Sequence, residues 1–96
     1  MNRALLRLAA DHPSTRGHFP GNPIVPAAVL LDEILAAIER VHARPGSELV
    51  VKWAKFLQPV RPGDTLALEF TQVASGDIRF QCRADAVEVI TGLVQA

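Results

Sequence analysis

His18 and Asp32 are the two residues whose type and surroundings most invite chemistry. His18 sits in the stretch Gly17-His18-Phe19-Pro20-Gly21-Asn22-Pro23-Ile24-Val25-Pro26, where prolines at 20, 23 and 26 stiffen the backbone. An imidazole titrates near neutrality, and a rigid arm holding one suits a general base. Asp32 follows in an apolar segment, with Ala28, Val29, Leu35 and Ala36 as its helical-wheel neighbours. A carboxyl group buried among such side chains resists ionisation, and a protonated carboxylic acid can donate a proton. Glu33 falls on the side of Ala37 and Arg40 and reads as a solvated partner of Arg40. Plainer roles stay open: His18 as a surface or turn residue, Asp32 as the edge of a buried stripe. His12, His18 and Asp32 match no standard metal-ligand spacing, so no metal or cofactor is expected.

These two residues need elements to hold them. Residues 3–9 read as a short strand, and residues 11–25 as loop, because four prolines and two glycines between 11 and 26 forbid regular structure. A loop of that length in a small domain is often functional. Pro26 suits a helix start, and residues 27 to about 42 read as the one long helix. Leu30, Leu31, Ile34, Leu35 and Ile38 give it a broad apolar stripe, and Arg40 and His42 suit its C-terminal end. From residue 48 the period changes to 2. Strands are expected over 48–58, 65–73, 77–84 and 87–95, with turns at 60–64, 74–77 and 85–86. The fold class is therefore α+β: an antiparallel sheet with one apolar helix packed on it.

With 96 residues, the chain is read as a single domain spanning 1–96. Mass scaling gives a buried fraction of about 64% of the unfolded surface, which makes a thin core. The 49% hydrophobic content excludes a disordered tail. Ten basic and ten acidic residues leave no net charge. That argues against nucleic-acid binding and gives little protection against self-association, so an oligomer is expected. The single cysteine, Cys82, excludes a disulfide scaffold and favours a reducing compartment. No run approaches a membrane span or the core of a signal peptide, so a cytoplasmic protein with no membrane association is expected.

The segment Gly-His-Phe-Pro-Gly-x-Pro-x-x-Pro, with a helix carboxylate 14 residues after the histidine, resembles the 3-hydroxyacyl-thioester dehydratases of the hot-dog fold. Lys55-Phe56-Leu57-Gln58-Pro59-Val60-Arg61-Pro62-Gly63-Asp64 is similar to that family's second recurring segment. The element order also resembles a hot dog, a long central helix wrapped by an antiparallel sheet. The short length is similar to the small dehydratase-like domains of aryl-polyene or polyketide-type clusters.

The resemblance implies a hydro-lyase that converts a 3-hydroxyacyl thioester to the trans-2-enoyl thioester, in fatty-acid or related biosynthesis. It implies that His18 removes the C2 proton and that Asp32 assists departure of the C3 hydroxyl as water. Gly17, Phe19, Pro26 and Ala27 would form the substrate and oxyanion site around the helix start. Ala27 stands where the family carries glycine; its N–H remains a donor, while its methyl narrows the site. Val29, Leu31, Leu35 and Trp53 would wall an acyl tunnel. Arg16, Lys52, Lys55 and Arg61 would form a basic entrance for an acidic acyl carrier protein, with acyl-CoA the other candidate substrate. The site would form across a two-fold homodimer or a higher oligomer of dimers. Two alternatives stay open: a non-catalytic hot-dog subunit that binds acyl carrier protein or an active dehydratase partner, and a hot-dog thioesterase.

Overall fold

The computed structural model describes residues 1–8, 24–42 and 49–95. Strand β1 spans Asn2–Arg7, helix α1 Ala27–His42, and strands β2 to β5 span Val50–Phe56, Thr65–Gln72, Ile78–Ala84 and Val87–Gln95. All pairings are antiparallel, in the spatial order β1-β3-β4-β5-β2. The α+β reading holds, and the helix bounds match those expected. The expected strand over 48–58 ends at Phe56, because the Leu57 and Gln58 N–H groups turn to the Val89 carbonyl (2.8 and 3.5 Å) and Pro59 follows.

Alternation along the strands builds the core. Leu66, Leu68 and Phe70 of β3 stand opposite Ala84, Cys82 and Phe80 of β4, all on the inner face. Ile78, Ile90 and Val94 extend that face, and α1 covers it with Leu30, Ile34, Ala37 and Ile38. Cys82 is fully buried there, and burial pushes its thiol pKa up to about 12, leaving it an inert apolar filler. At the other end of α1, the His42 ring meets Phe70 edge-on at 5.9 Å.

Two bulges break strict alternation. One lies between Val51 and Trp53, where Lys52 is the extra residue. The other lies opposite the Cys82/Arg83 step, where Val89 is the extra residue of β5. An unladdered bulge residue leaves its backbone groups free for other partners. The Val89 carbonyl uses that freedom to take the N–H groups of Leu57 and Gln58.

Lys52 itself reaches Asp77, where Nζ donates to Oδ2 at 2.8 Å across 25 residues of sequence. The Ser75 hydroxyl donates to the same oxygen at 3.2 Å. This holds the β3–β4 hairpin end to strand β2. Hydrogen bonding from Lys52 keeps the Asp77 carboxyl below the usual carboxylate range, with its burial opposing the effect. It is the one ion pair among the described residues; Glu33 and Arg40 are exposed and make none.

Gly92 faces Phe80 across the β4–β5 ladder. A Cβ there would meet the Phe80 ring at 2.4 and 2.6 Å and the Trp53 carbonyl at 2.7 Å. Gly92→Ala is therefore expected to lower stability by about 1–3 kcal/mol in urea denaturation. Adding Phe80→Leu should recover part of that loss, because two of the three close contacts are ring atoms.

The Lys52–Asp77 pair predicts an acid dependence with a definite sign. A depressed folded pKa confers stability that is present above the unfolded value of about 3.9 and lost as pH falls through the folded value. The difference in melting temperature between the native chain and Asp77→Asn should therefore be clear at about pH 7 and shrink toward zero as acid protonates the Asp77 carboxyl.

Candidate active site

Residues 57–64 bring the second recurring segment against the start of α1 and the end of β1. The Arg61 carbonyl accepts from the Asp64 N–H at 3.1 Å around Pro62 and Gly63. Gly63 has φ 91°, which a turn with proline first and glycine second requires. The Asp64 carboxylate accepts from the Arg61 N–H at 2.9 Å and closes the turn. This turn then grips the end of β1: the Gly63 N–H donates to the Leu8 carbonyl at 2.8 Å, and the Leu8 N–H donates to the Asp64 carbonyl at 3.1 Å. Three residues earlier, the Val60 carbonyl accepts from the Val25 N–H at 2.8 Å, just before α1 begins. One stretch thus holds both Leu8 and Val25, described residues on either side of the histidine in sequence.

Pro26 opens the helix. Its carbonyl accepts from the N–H groups of Val29 (3.1 Å) and Leu30 (3.2 Å). Ala27 and Ala28 therefore occupy the first helical positions, whose N–H groups have no intrahelical acceptor. The helix dipole and these donors favour an oxyanion at this end.

A cavity of about 320 Å³ lies at this helix start. Ile24, Val25, Ala27 and Leu30 form one wall, and the continuous stretch Phe56–Val60 forms the other. Phe56 and Leu57 are each 45% exposed in the single chain, an unusual state for such apolar side chains. An apolar pocket with polar groups converging at a helix N-terminus is suited to a thioester whose carbonyl gains negative charge.

The expected site residues divide as follows. Ala27 lines the cavity, and Pro26 supplies the helix-opening carbonyl. His18, Gly17, Phe19 and Arg16 lie outside the described residues. Asp32 is exposed in the single chain, which corrects the expectation that it is buried. It points about 200° around the helix from Leu30, away from the cavity wall of its own subunit. The sheet covers Leu30, Ile34, Ala37 and Ile38, whereas on the Asp32 flank Ala28 is exposed and Leu35 and Ala36 are only half-buried.

Val29, Leu31 and Leu35 are half-buried against the core, and the cavity is lined by Ala27 and Leu30 instead. Trp53 stands on the outer face of the sheet, opposite Leu93 and 42% exposed, so within one chain it walls no inner tunnel. The bulge at Lys52 is the cause, since it turns Ala54 and Phe56 inward after Val51. Lys52 is engaged by Asp77, which corrects its assignment to a free basic entrance. Lys55 is exposed on the outer face opposite Thr91, and Arg61 is exposed in the 57–64 turn. Strand register places Arg3, Arg7, Arg79 and Arg83 on the same outer face as Lys55, with Glu69 and Glu88 among them. Sequence reasoning missed Phe56, Leu57 and Gln58 as cavity residues. The proline after Gln58 was the available signal, because it ends the strand at the cavity wall.

Among the described residues, no group of three His, Cys, Asp or Glu side chains could hold a metal ion. No helix among them is long and apolar enough to cross a membrane.

The helix-on-antiparallel-sheet architecture and the cavity at the helix start define a hot-dog domain. Its solved neighbours agree. The dehydratase heterocomplex ApeI:P from Xenorhabdus doucetiae superposes with a TM-score of 0.77 at 26% identity, covering 97% of this chain and 83% of that one. The F36A mutant of the fluoroacetyl-CoA-specific thioesterase FlK superposes with a TM-score of 0.71 at 14% identity, over 98% of this chain and 84% of that one, and so shares the fold. The ApeI-like family model, described as ApeI dehydratase, matches residues 2–93. The chain belongs to that family. A 3-hydroxyacyl-[acyl-carrier-protein] dehydratase FabZ from Thermus thermophilus is 36% identical over 75 residues, covering 70% of this chain and 53% of its own length. That of Albidiferax ferrireducens is 30% identical over 94 residues, covering 85% of this chain and 63% of its own. The chain thus spans about half to two-thirds of the length of these relatives.

Proposed function

We propose that the chain is a 3-hydroxyacyl-thioester dehydratase. The observation that carries this reading is the apolar cavity at the start of α1, lined by Ala27 of the first helical turn and by the stretch Phe56–Val60. The thioester carbonyl accepts from the Ala27 N–H. The imidazole of His18 takes the proton from C2, and the electron pair of the broken C2–H bond becomes the C2=C3 bond as the C3–O bond breaks. The carboxyl of Asp32 gives its proton to the departing hydroxyl, which leaves as water. The acceptor at the helix start lowers the cost of the enolate-like charge at the carbonyl oxygen.

Asp32 faces away from its own cavity, so the acid for each site comes from a second copy. Three features support a two-fold homodimer. The Asp32 flank of α1 carries partly exposed apolar side chains. Strand β2 is a sheet edge whose backbone can pair with another strand. Val50, Phe56 and Leu57 expose large apolar surface along or beside it. The thioester is carried on an acidic acyl carrier protein, a reading supported by the carrier-linked activity named for the relatives and by the excess of arginine and lysine on the outer sheet face. The reducing, soluble setting read from the sequence fits such a substrate.

A second reading, a hot-dog subunit that works with a different hot-dog partner, is favoured by Ala27 in place of glycine and by the ApeI:P neighbour, a dehydratase heterocomplex. Mixing experiments separate the two. His18→Ala and Asp32→Asn should each abolish water loss from a carrier-linked 3-hydroxyacyl thioester while the circular dichroism spectrum persists. In a two-fold dimer with shared sites, randomly mixing the two inactive variants should restore about a quarter of native activity, through hybrids with one intact site. Absence of recovery would place both groups in one subunit. A native homodimer without turnover, rescued by a second hot-dog chain, would favour the paired reading.

A further inference from the structure

Among the described residues that line the cavity, Gln58 is the one with a polar side chain. Phe56, Leu57, Pro59 and Val60 flank it on the same stretch, and Ala27 faces it from the helix start. Its position is fixed rather than fluid. The Leu57 and Gln58 N–H groups both donate to the Val89 carbonyl, Pro59 restricts the following step, and the Val60 carbonyl is held by the Val25 N–H. Among the described residues, the Gln58 carboxamide hydrogen-bonds no other group, and the residue is exposed at the cavity rim.

A primary amide offers two donors and one acceptor, so it matches a secondary amide on both sides of its dipole. The thioester substrates of the proposed reaction are tethered through a flexible arm that carries secondary amides, whether the arm ends on a carrier protein or on coenzyme A. With the thioester carbonyl at the Ala27 N–H and the acyl chain in the apolar interior, the arm must leave across the rim. We propose that Gln58 is a substrate-binding residue that hydrogen-bonds an amide of this arm as it leaves the cavity. The proposal rests on the thioester reading of the cavity. It assigns Gln58 no part in proton transfer.

The test compares ligands with and without the arm. Binding of two unreactive saturated acyl thioesters is measured by calorimetry, one on N-acetylcysteamine, which keeps an amide, and one on ethanethiol, which has none. Gln58→Ala should weaken the amide-bearing ligand about tenfold, the loss of one or two neutral hydrogen bonds, and leave the ethanethiol ester unchanged. Gln58→Glu, which keeps an acceptor and loses the amide donors, should fall between. In turnover, KM for carrier-linked and coenzyme A-linked 3-hydroxyacyl substrates should rise together by a similar factor, with kcat little changed.

Equal weakening of both small ligands would mean that Gln58 shapes the wall and touches no arm, and would overturn the proposal. So would an unchanged affinity for both, or an effect confined to carrier-linked substrate, which would place the contact on the carrier surface. Selective loss of amide binding in a chain that dehydrates nothing would sustain the Gln58 contact and refute the dehydratase reading alone.

Discussion

Residues 57–64 hold the site together through main-chain hydrogen bonds that reach three separate places. The Leu57 N–H goes to the β5 bulge at Val89, the Val60 carbonyl to Val25 before the helix, and Gly63 and Asp64 to Leu8 at the end of β1. Each bond joins backbone groups, so it constrains few side chains. What the segment demands of the sequence is turn chemistry: Pro59 to end the strand, then Pro62 and Gly63 to reverse direction with a positive φ. The helix start, the cavity wall and both flanks of the histidine segment all take their positions from this one stretch. Its bond to the sheet depends in turn on the extra residue in β5, which leaves the Val89 carbonyl available.

The helix carries more apolar surface than its own sheet can cover. Leu30, Ile34, Ala37 and Ile38 fill the inner face, and a second flank with Ala28, Leu35 and Ala36 surrounds Asp32 without burying it. A carboxyl on such a flank is poorly placed as an acid in one chain and well placed in two. The same assembly would cover the apolar groups along the β2 edge and would account for a neutral chain with a thin core. The proposed catalysis and the uncovered helix flank would thus be served by the same proposed second subunit.

Much of the fold was legible because period and punctuation agree. The helix bounds follow from Pro26, the apolar stripe and the basic last turn. The β3, β4 and β5 strands follow from clean alternation between Gly-containing or Asp-containing turns. The strand β2 misled. Strict alternation from Val51 puts Trp53 inside, but the bulge at Lys52 adds one residue and reverses the faces, so Trp53 goes out while Ala54 and Phe56 go in. Nothing local in Val50-Val51-Lys52-Trp53 announces that bulge. The extra residue, Lys52, finds its partner in Asp77, on a hairpin end 25 residues away. Asp32 misled for a related reason: a helical wheel reports which residues surround it, and only the packed sheet reports that this side is uncovered. Gln58 was passed over because a lone glutamine in a turn carries no pattern; its interest comes from the apolar company that the fold gives it.

The anchoring of the histidine segment also imposes an order on folding. The β3–β4 and β4–β5 hairpins close over turns of a few residues, whereas the bonds at Leu8 and Val25 close a loop of 16 intervening residues. Relative to a two-residue turn, that closure costs about 2 kcal/mol more in chain entropy. It becomes favourable once the 57–64 turn is already seated on β5, since both of its partners reside there. The meander of β3, β4 and β5 is thus the template, and the Leu8 and Val25 bonds to the 57–64 turn form after it.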